Sequence, residues 1–306
     1  MTLFSVNGIY ASDYFSHALK IYYEGRFFEA SIEFERAIYY ETDSTRIELC
    51  RYYKSLCYKG LGKYDKALEE LVNVDVEPMN DSLFLDFQYE RVLCSYLLKD
   101  LNQALNNIDR IYMRFKDTSK ILEVIPLNIL CLNACREWDN AHILWNFYIN
   151  NSRLNDSVKN NFKQEVKSLY SKKNLPRFHF AGKAETLSSF LPGSGQIYNG
   201  AVLEGSFNAI INLTFLYYTF SQFYSKYYFT GYFIGLKLFN KFYAGGIRRA
   251  KSLAEEKNEN GVNEFNSENI SLMRRFINTK SSENHCLSID QLNTLCLVFA
   301  GIRFPG

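Results

Sequence analysis

The chain has 306 residues with 35 Lys and Arg against 33 Asp and Glu. That length allows about two domains of the usual ~100–200 residues, and so balanced a charge supplies no long-range attraction for nucleic acid. Aromatic residues make up 16% of the chain and prolines number only 5, which excludes a disordered or low-complexity chain and favours long helical segments.

The opening "MTLFSVNGIYASDYF" carries an apolar stretch and a small residue, Ala11, at a cleavage-like position. It lacks the positively charged start of a complete signal peptide. Residues 1–11 therefore read either as the remnant of a signal peptide or as a frayed helix start, with export slightly favoured.

From residue 12 the dominant signal is a repeat. Alanines stand at Ala30, Ala67, Ala104 and Ala141, each 37 residues after the last. Three residues before each lies a large side chain (Phe27, Tyr64, Leu101, Trp138), four residues after it another (Phe34, Leu71, Ile108, Trp145), and eleven before it a leucine (Leu19, Leu56, Leu93, Leu130). A small residue on the second helix of a pair lets the first approach, and the large ones fill the remaining space. Cys57, Cys94 and Cys131 share the 37-residue period, so they read as apolar packing positions; equivalent residues of stacked units lie ~8–10 Å apart, beyond disulfide reach of ~7 Å. Cys131 and Cys135 are four apart, but no histidine pair completes a metal site.

Gly25-Arg26-Phe27 with Ala30, and Gly62-Lys63-Tyr64 with Ala67, resemble the turn glycine, aromatic and alanine of the tetratricopeptide repeat family. The resemblance covers residues 12–150 and implies a helical solenoid. Units three and four place Lys99 and Arg136 where the glycine belongs, so their turns are expected to differ in shape, since a left-handed backbone costs a non-glycine residue ~1 kcal/mol. The family period is 34 residues; the three extra are expected in connections such as "EPMNDS" and "KDTS". Pro126 should kink the first helix of unit four or mark its first turn. A polar helix over 156–173 should cap the stack, which closes a domain of residues 12–176.

"FLPGSGQIYNG", residues 190–200, interrupts the helical pattern. It is not a phosphate loop: no Gly-Lys-Ser/Thr ending follows, no strand precedes, and Tyr198 occupies the third glycine position. Beyond it, Gly205 to Tyr224 is a 20-residue run without a charge, ~30 Å as a helix and thus the thickness of a bilayer's hydrocarbon core. A shorter apolar run from Tyr227 to Leu236 ends at Lys237 and Lys241. Residues 177–258 are therefore expected to form a membrane-associated helical hairpin, entered through a turn built by Pro192, Gly193, Gly195, Gln196, Tyr198 and Gly200, with Gln196 and Tyr198 at headgroup level. Arg248, Arg249 and Lys251 after the hairpin and Lys172, Lys173, Arg177 and Lys183 before it put positive charge at both ends. The string also resembles hairpin modules that follow repeat domains in many bacterial proteins, which implies association with the bacterial envelope membrane and no assigned chemistry. Gly231 and Gly235 make a GxxxG notch for close helix contact. Asn208 and Asn212 on one helix face read as interhelical glue or as a functional polar pair. Residues 259–306 are expected to be a polar, partly disordered tail until "LCLVFAGIRFPG", too short to span.

His17, His142, His179 and His285 are scattered and form no catalytic or metal motif, and Glu69 and Glu70 have the spacing of a solvated helix face. No enzyme and no cofactor are expected. The partner site is expected on the first helices of the repeats, where residues four before and three after the repeated leucine share a face: Phe15, Leu19, Tyr22; Tyr52, Leu56, Lys59; Tyr89, Leu93, Tyr96. By resemblance this stripe lines the concave surface and takes a protein or peptide; alternatively it is covered by the chain's own capping or C-terminal helix. The expected function is a membrane-anchored scaffold or adaptor. The alternative is an oligomeric membrane hairpin protein that handles a lipid or small solute. The cues conflict on the side of the membrane: flanking positive charge favours cytoplasmic repeats, the N-terminus export.

Overall fold

The computed structural model describes residues 3–283, and side chains from 13 to 280. All regular structure in that range is helical. The described residues divide into two units: those up to Tyr170 together with 269–283, and Ser171–Glu268.

In the first unit the 37-residue period becomes helix pairs: α1 (Leu3–Tyr23) with α2 (Phe27–Tyr40), α3 (Ser44–Gly60) with α4 (Tyr64–Val72), α5 (Asp81–Leu97) with α6 (Leu101–Arg114), and α7 (Thr118–Ala134) with α8 (Trp138–Asn150), followed by α9 (Asp156–Leu169). Each helix packs on the next along the chain. Every second helix of a pair begins at the large residue three before the repeated alanine. The four alanines and the four large residues one turn later are buried to 0–1%. Capping explains where the first helices begin. Asp43, Asn80 and Asp117 are N-caps whose side chains accept from Thr45, Leu83 and Ser119 backbone N–H groups, satisfying donors the helix cannot. Asn155 caps α9 in the same way.

One expectation fails here. The turns at Lys99 and Arg136 do not differ in shape: their φ values of 63° and 65° match Gly25 at 78° and Gly62 at 71°. The same closing bonds form, Lys63 N–H to Tyr58 O, Asp100 N–H to Ser95 O and Glu137 N–H to Leu132 O. Packing of the helix pair outweighs the local strain. Of the two readings of Pro126, the first turn is ruled out: it lies buried at mid-helix in α7, where its ring removes one backbone donor.

Residues 3–11 are the opening turns of α1, which runs unbroken past Ala11.

The second unit contains α10 (Ala181–Phe190), the short α11 (Ser194–Tyr198), α12 (Val202–Tyr224), α13 (Tyr228–Thr230), a π-helical segment (Gly231–Leu236) and the start of α14 (Lys237–Glu283). The chain reverses at Lys226, held at φ 63° while Tyr227 N–H donates to Gln222 O. Among the described residues no helix is long and apolar enough to cross a membrane. The uncharged run from Gly205 to Tyr224 falls short because Asn208, Asn212, Thr214, Thr219 and Gln222 dilute it.

The expected boundaries at 176 and 258 fall instead at 170 and 268. Residues 259–283 are not a disordered tail but the continuation of α14. Leu272, Met273 and Phe276 are buried with Trp145, Tyr148, Phe162 and Val166 in the core that closes the last repeat. Their 3–4-residue spacing is helical, and the polar residues between them are what hid it. The apolar segment 295–306 and His285 lie outside the described residues.

Candidate functional site

The predicted stripe on the first helices is mostly spent on internal packing. Phe15 meets Phe34 and Tyr53 edge-on, each at 6.0 Å between centroids. Leu19 packs beside it, and Tyr22 lies 5.9 Å from Tyr53. Tyr52 packs on Phe87 at 4.9 Å, while Tyr89 and Tyr96 flank the central core. Lys59 is held by Glu90 at 2.7 Å. Leu93 is 1% exposed, which corrects its placement on a binding surface. Leu56 is half-buried. Burial pushes the Tyr22 phenol up to about 12. It raises Tyr52 and Tyr89 further, with the Glu90 carboxylate adding to both. All three hydroxyls therefore stay neutral at ordinary pH.

A groove of ≈ 620 Å³ opens on another face of this unit, between the second helices α2 and α4. Phe28, Ile32 and Tyr39 of α2 stand exposed along it, four and seven residues apart, opposite Lys63 and Lys66 of the α3–α4 turn and α4. Lys54 forms its floor, bound to Glu35 and Glu70 at 2.5 Å each. Sequence reasoning missed this groove because it followed the repeat columns, and the groove lies between them. The available signal was the outward apolar set on α2, which repeats in no other unit.

Cys50 and Cys57 are buried, and burial drives each thiol up to about 12. Cys94 is buried and up to about 12 for the same first cause. Such thiols are packing residues with almost no thiolate. Among the described residues no group of three or more His, Cys, Asp or Glu is placed to hold a metal.

In the second unit the proline-glycine motif is a packing joint. Gly193 takes φ 91° at the start of α11, and a Cβ there would collide with the Gly205 carbonyl. Gly195 is buried against Ala184, Ser188 and Ala250, and its N–H donates to Ser188 Oγ at 3.0 Å. Gln196 does not sit at headgroup level: it is 1% exposed, donating from Nε2 to Gly246 O at 2.9 Å and accepting from Ser188 at 3.2 Å. Its long amide reaches a backbone carbonyl that a small residue at Gly246 leaves accessible. Asn199 repeats the device one turn on, donating to Ala250 O at 2.8 Å, and Lys257 donates to Asn199 O at 2.7 Å beside Gly200. Tyr198 packs half-buried between His179, at 5.7 Å, and the Lys183 ammonium, at 5.1 Å from its ring. Pro192 is half-buried in the same joint. Asn258 pairs with both backbone groups of His179 at 2.7 Å.

Small and polar residues also line the seam of the hairpin. Gly235 packs against Thr219, Gly231 against Phe223 and Gly246 against the Asn208 amide. Asn212, 1% exposed, donates to Asn208 O at 2.8 Å one turn back in the same helix, so this amide bond lies within α12. Phe215 stacks on Phe242 at 5.2 Å across the same pair, while most other large side chains lie outside. Phe229, Tyr232, Phe233 and Ile234 are exposed around the tip, together with Tyr227 and Tyr228.

The chain matches no family model, no curated protein and no solved structure.

Proposed function

We propose that this chain is a membrane-associated, non-enzymatic scaffold of tetratricopeptide-like repeats that holds a protein or peptide partner while its hairpin tip engages lipid. The observation that carries the reading is the tip: from Tyr227 to Leu236 the helix is apolar or aromatic on every exposed side. A helix apolar all round needs an apolar medium. Tyrosine, phenylalanine and lysine together are the mixture that favours a bilayer interface. The tip is too short to span, which supports shallow insertion.

The groove between α2 and α4 suits a partner better than the stripe does, because Phe28, Ile32 and Tyr39 are exposed whereas the stripe is packed. Tyrosine and large apolar anchors beside lysines fit an extended peptide with acidic flanks.

The test is co-sedimentation of the full chain with phosphatidylcholine–phosphatidylglycerol vesicles. The parent should pellet, and the triple variant Phe229→Ser, Tyr232→Ser, Phe233→Ser should lose at least tenfold in partition. Equal partition of parent and variant would refute the tip as the anchor. For the groove, Ile32→Ser with Tyr39→Ser should abolish capture of a partner that the parent retains. Tyr52→Ala, in contrast, should lower stability.

A further inference from the structure

We propose that two copies of this chain pair through the outer face of α12. Seven large side chains form one line along that helix: Leu203, Phe207, Ile210, Leu213, Tyr217, Phe220 and Tyr224. They are 59–92% exposed. Successive spacings of three or four residues average 3.5, the period of a helix–helix seam that supercoils to the left. The line lies opposite Asn208 and Thr219, which α12 sets against Gly246 and Gly235 of its hairpin partner, and Gly205, which it sets against α11.

This face differs from the tip. The tip is apolar on all sides, as immersion in lipid requires, whereas α12 is apolar outward along a single stripe, as a second helix requires. The charge distribution points the same way. No acidic residue occurs between Glu204 and Glu255, and the cations Lys237, Lys241, Arg248 and Lys251 are exposed on the second helix. At 3.6 residues per turn they fall on the side away from Gly235 and Gly246, the glycines that face α12. Each hairpin thus has one apolar and one cationic outer face, which is half of a four-helix bundle with its charges in water. Glu204, the only charge within α12, sits at the end of the stripe and is engaged by Arg249 at 2.8 Å.

The area is sufficient. Side chains of ~150–200 Å² each, exposed to this degree, offer on the order of 800 Å² per copy, the share each partner supplies to a standard specific interface. A second copy is favoured over an unrelated helix because the same stripe, with aromatic and aliphatic residues mixed along its length, can interleave with itself about a two-fold axis.

The test uses the full chain in detergent-free buffer, with mass measured by light scattering. The expected result is twice the 35.7 kDa of one chain. Ile210→Glu with Tyr217→Glu should give one-chain mass with an unchanged helical circular dichroism spectrum, and the triple tip variant should stay dimeric. In vesicle-bound protein, Leu213→Cys, central in the stripe and so adjacent to its copy in either orientation, should form a covalent dimer under mild oxidation that the parent does not. A one-chain mass for the parent without a Leu213→Cys cross-link overturns the proposal. Vesicle binding by such a monomer would leave the membrane reading standing, whereas a dimer that ignores vesicles would refute that reading and keep this one.

Discussion

In the first unit the repeat alanines and the large residues one turn beyond them are buried to 0–1%, while in the second the largest side chains of α12 face outward and glycine, asparagine and threonine fill the contact with its neighbour. The repeats bury apolar surface against one another, so each unit is stabilised by the next. The hairpin closes on small residues, Gly235 against Thr219 and Gly246 against Asn208, with one aromatic stack, Phe215 on Phe242. An apolar helix therefore carries different information in the two places: in the repeats it states what the chain covers for itself, and in the hairpin what the chain leaves exposed.

The sharpest way to break this contrast is to truncate one aromatic in each unit. Phe34→Ala or Trp145→Ala should cost about 3–5 kcal/mol in denaturant unfolding without lipid, whereas Phe229→Ala, exposed at the tip, should stay within about 0.5 kcal/mol. Equal costs would mean that both sites are core. Neighbouring glycines of the hairpin give the next largest effect. Gly246→Ala drives its Cβ into the Asn208 amide and should destabilise by about 1–3 kcal/mol, as overpacking does. A Cβ at Gly245 meets nothing within 4 Å, so Gly245→Ala should instead add about 0.5–1 kcal/mol of helix stability. Removing a cap is smaller again: Asp117→Ala should cost about 1 kcal/mol through the lost acceptor for Ser119 N–H. The turns give effects of opposite sign. Gly62→Lys should cost about 1 kcal/mol and Lys99→Gly should recover up to that amount, because both positions hold a left-handed backbone. Thermal melts of these two turn variants would read the signs directly.

The repeats were legible because four columns at one period constrain the helices jointly. The caps Asp43, Asn80 and Asp117 keep the same period and would have placed the helix starts had polar columns been compared along with apolar ones. The turn at Lys99 and Arg136 was not legible, since its conformation is fixed by tertiary packing against a local preference. In the hairpin, composition marked the apolar run but could not tell which side of α12 meets its neighbour. That is decided by small residues whose role appears only when Gly235 is set against Thr219 and Gly246 against Asn208. Gln196 was misplaced for a related reason: an amide beside glycines suits an exposed turn or a buried bond to a backbone carbonyl equally well. The binding stripe was drawn from one helix at a time, and half of each such face belongs to the next repeat. Residues 269–280 were obscured by the charged and polar residues that alternate with Leu272, Met273 and Phe276.

The most direct measurement of whether the hairpin's apolar surface is covered from outside the chain is covalent side-chain footprinting of the full protein, alone and with lipid vesicles. The account predicts that Phe34 and Trp145 stay unlabelled in both samples and that Phe229, Tyr232 and Phe233 are labelled alone and protected by vesicles. It would be contradicted by equal labelling of the tip with and without vesicles, or by labelling of Phe34 and Trp145 at the level of the tip.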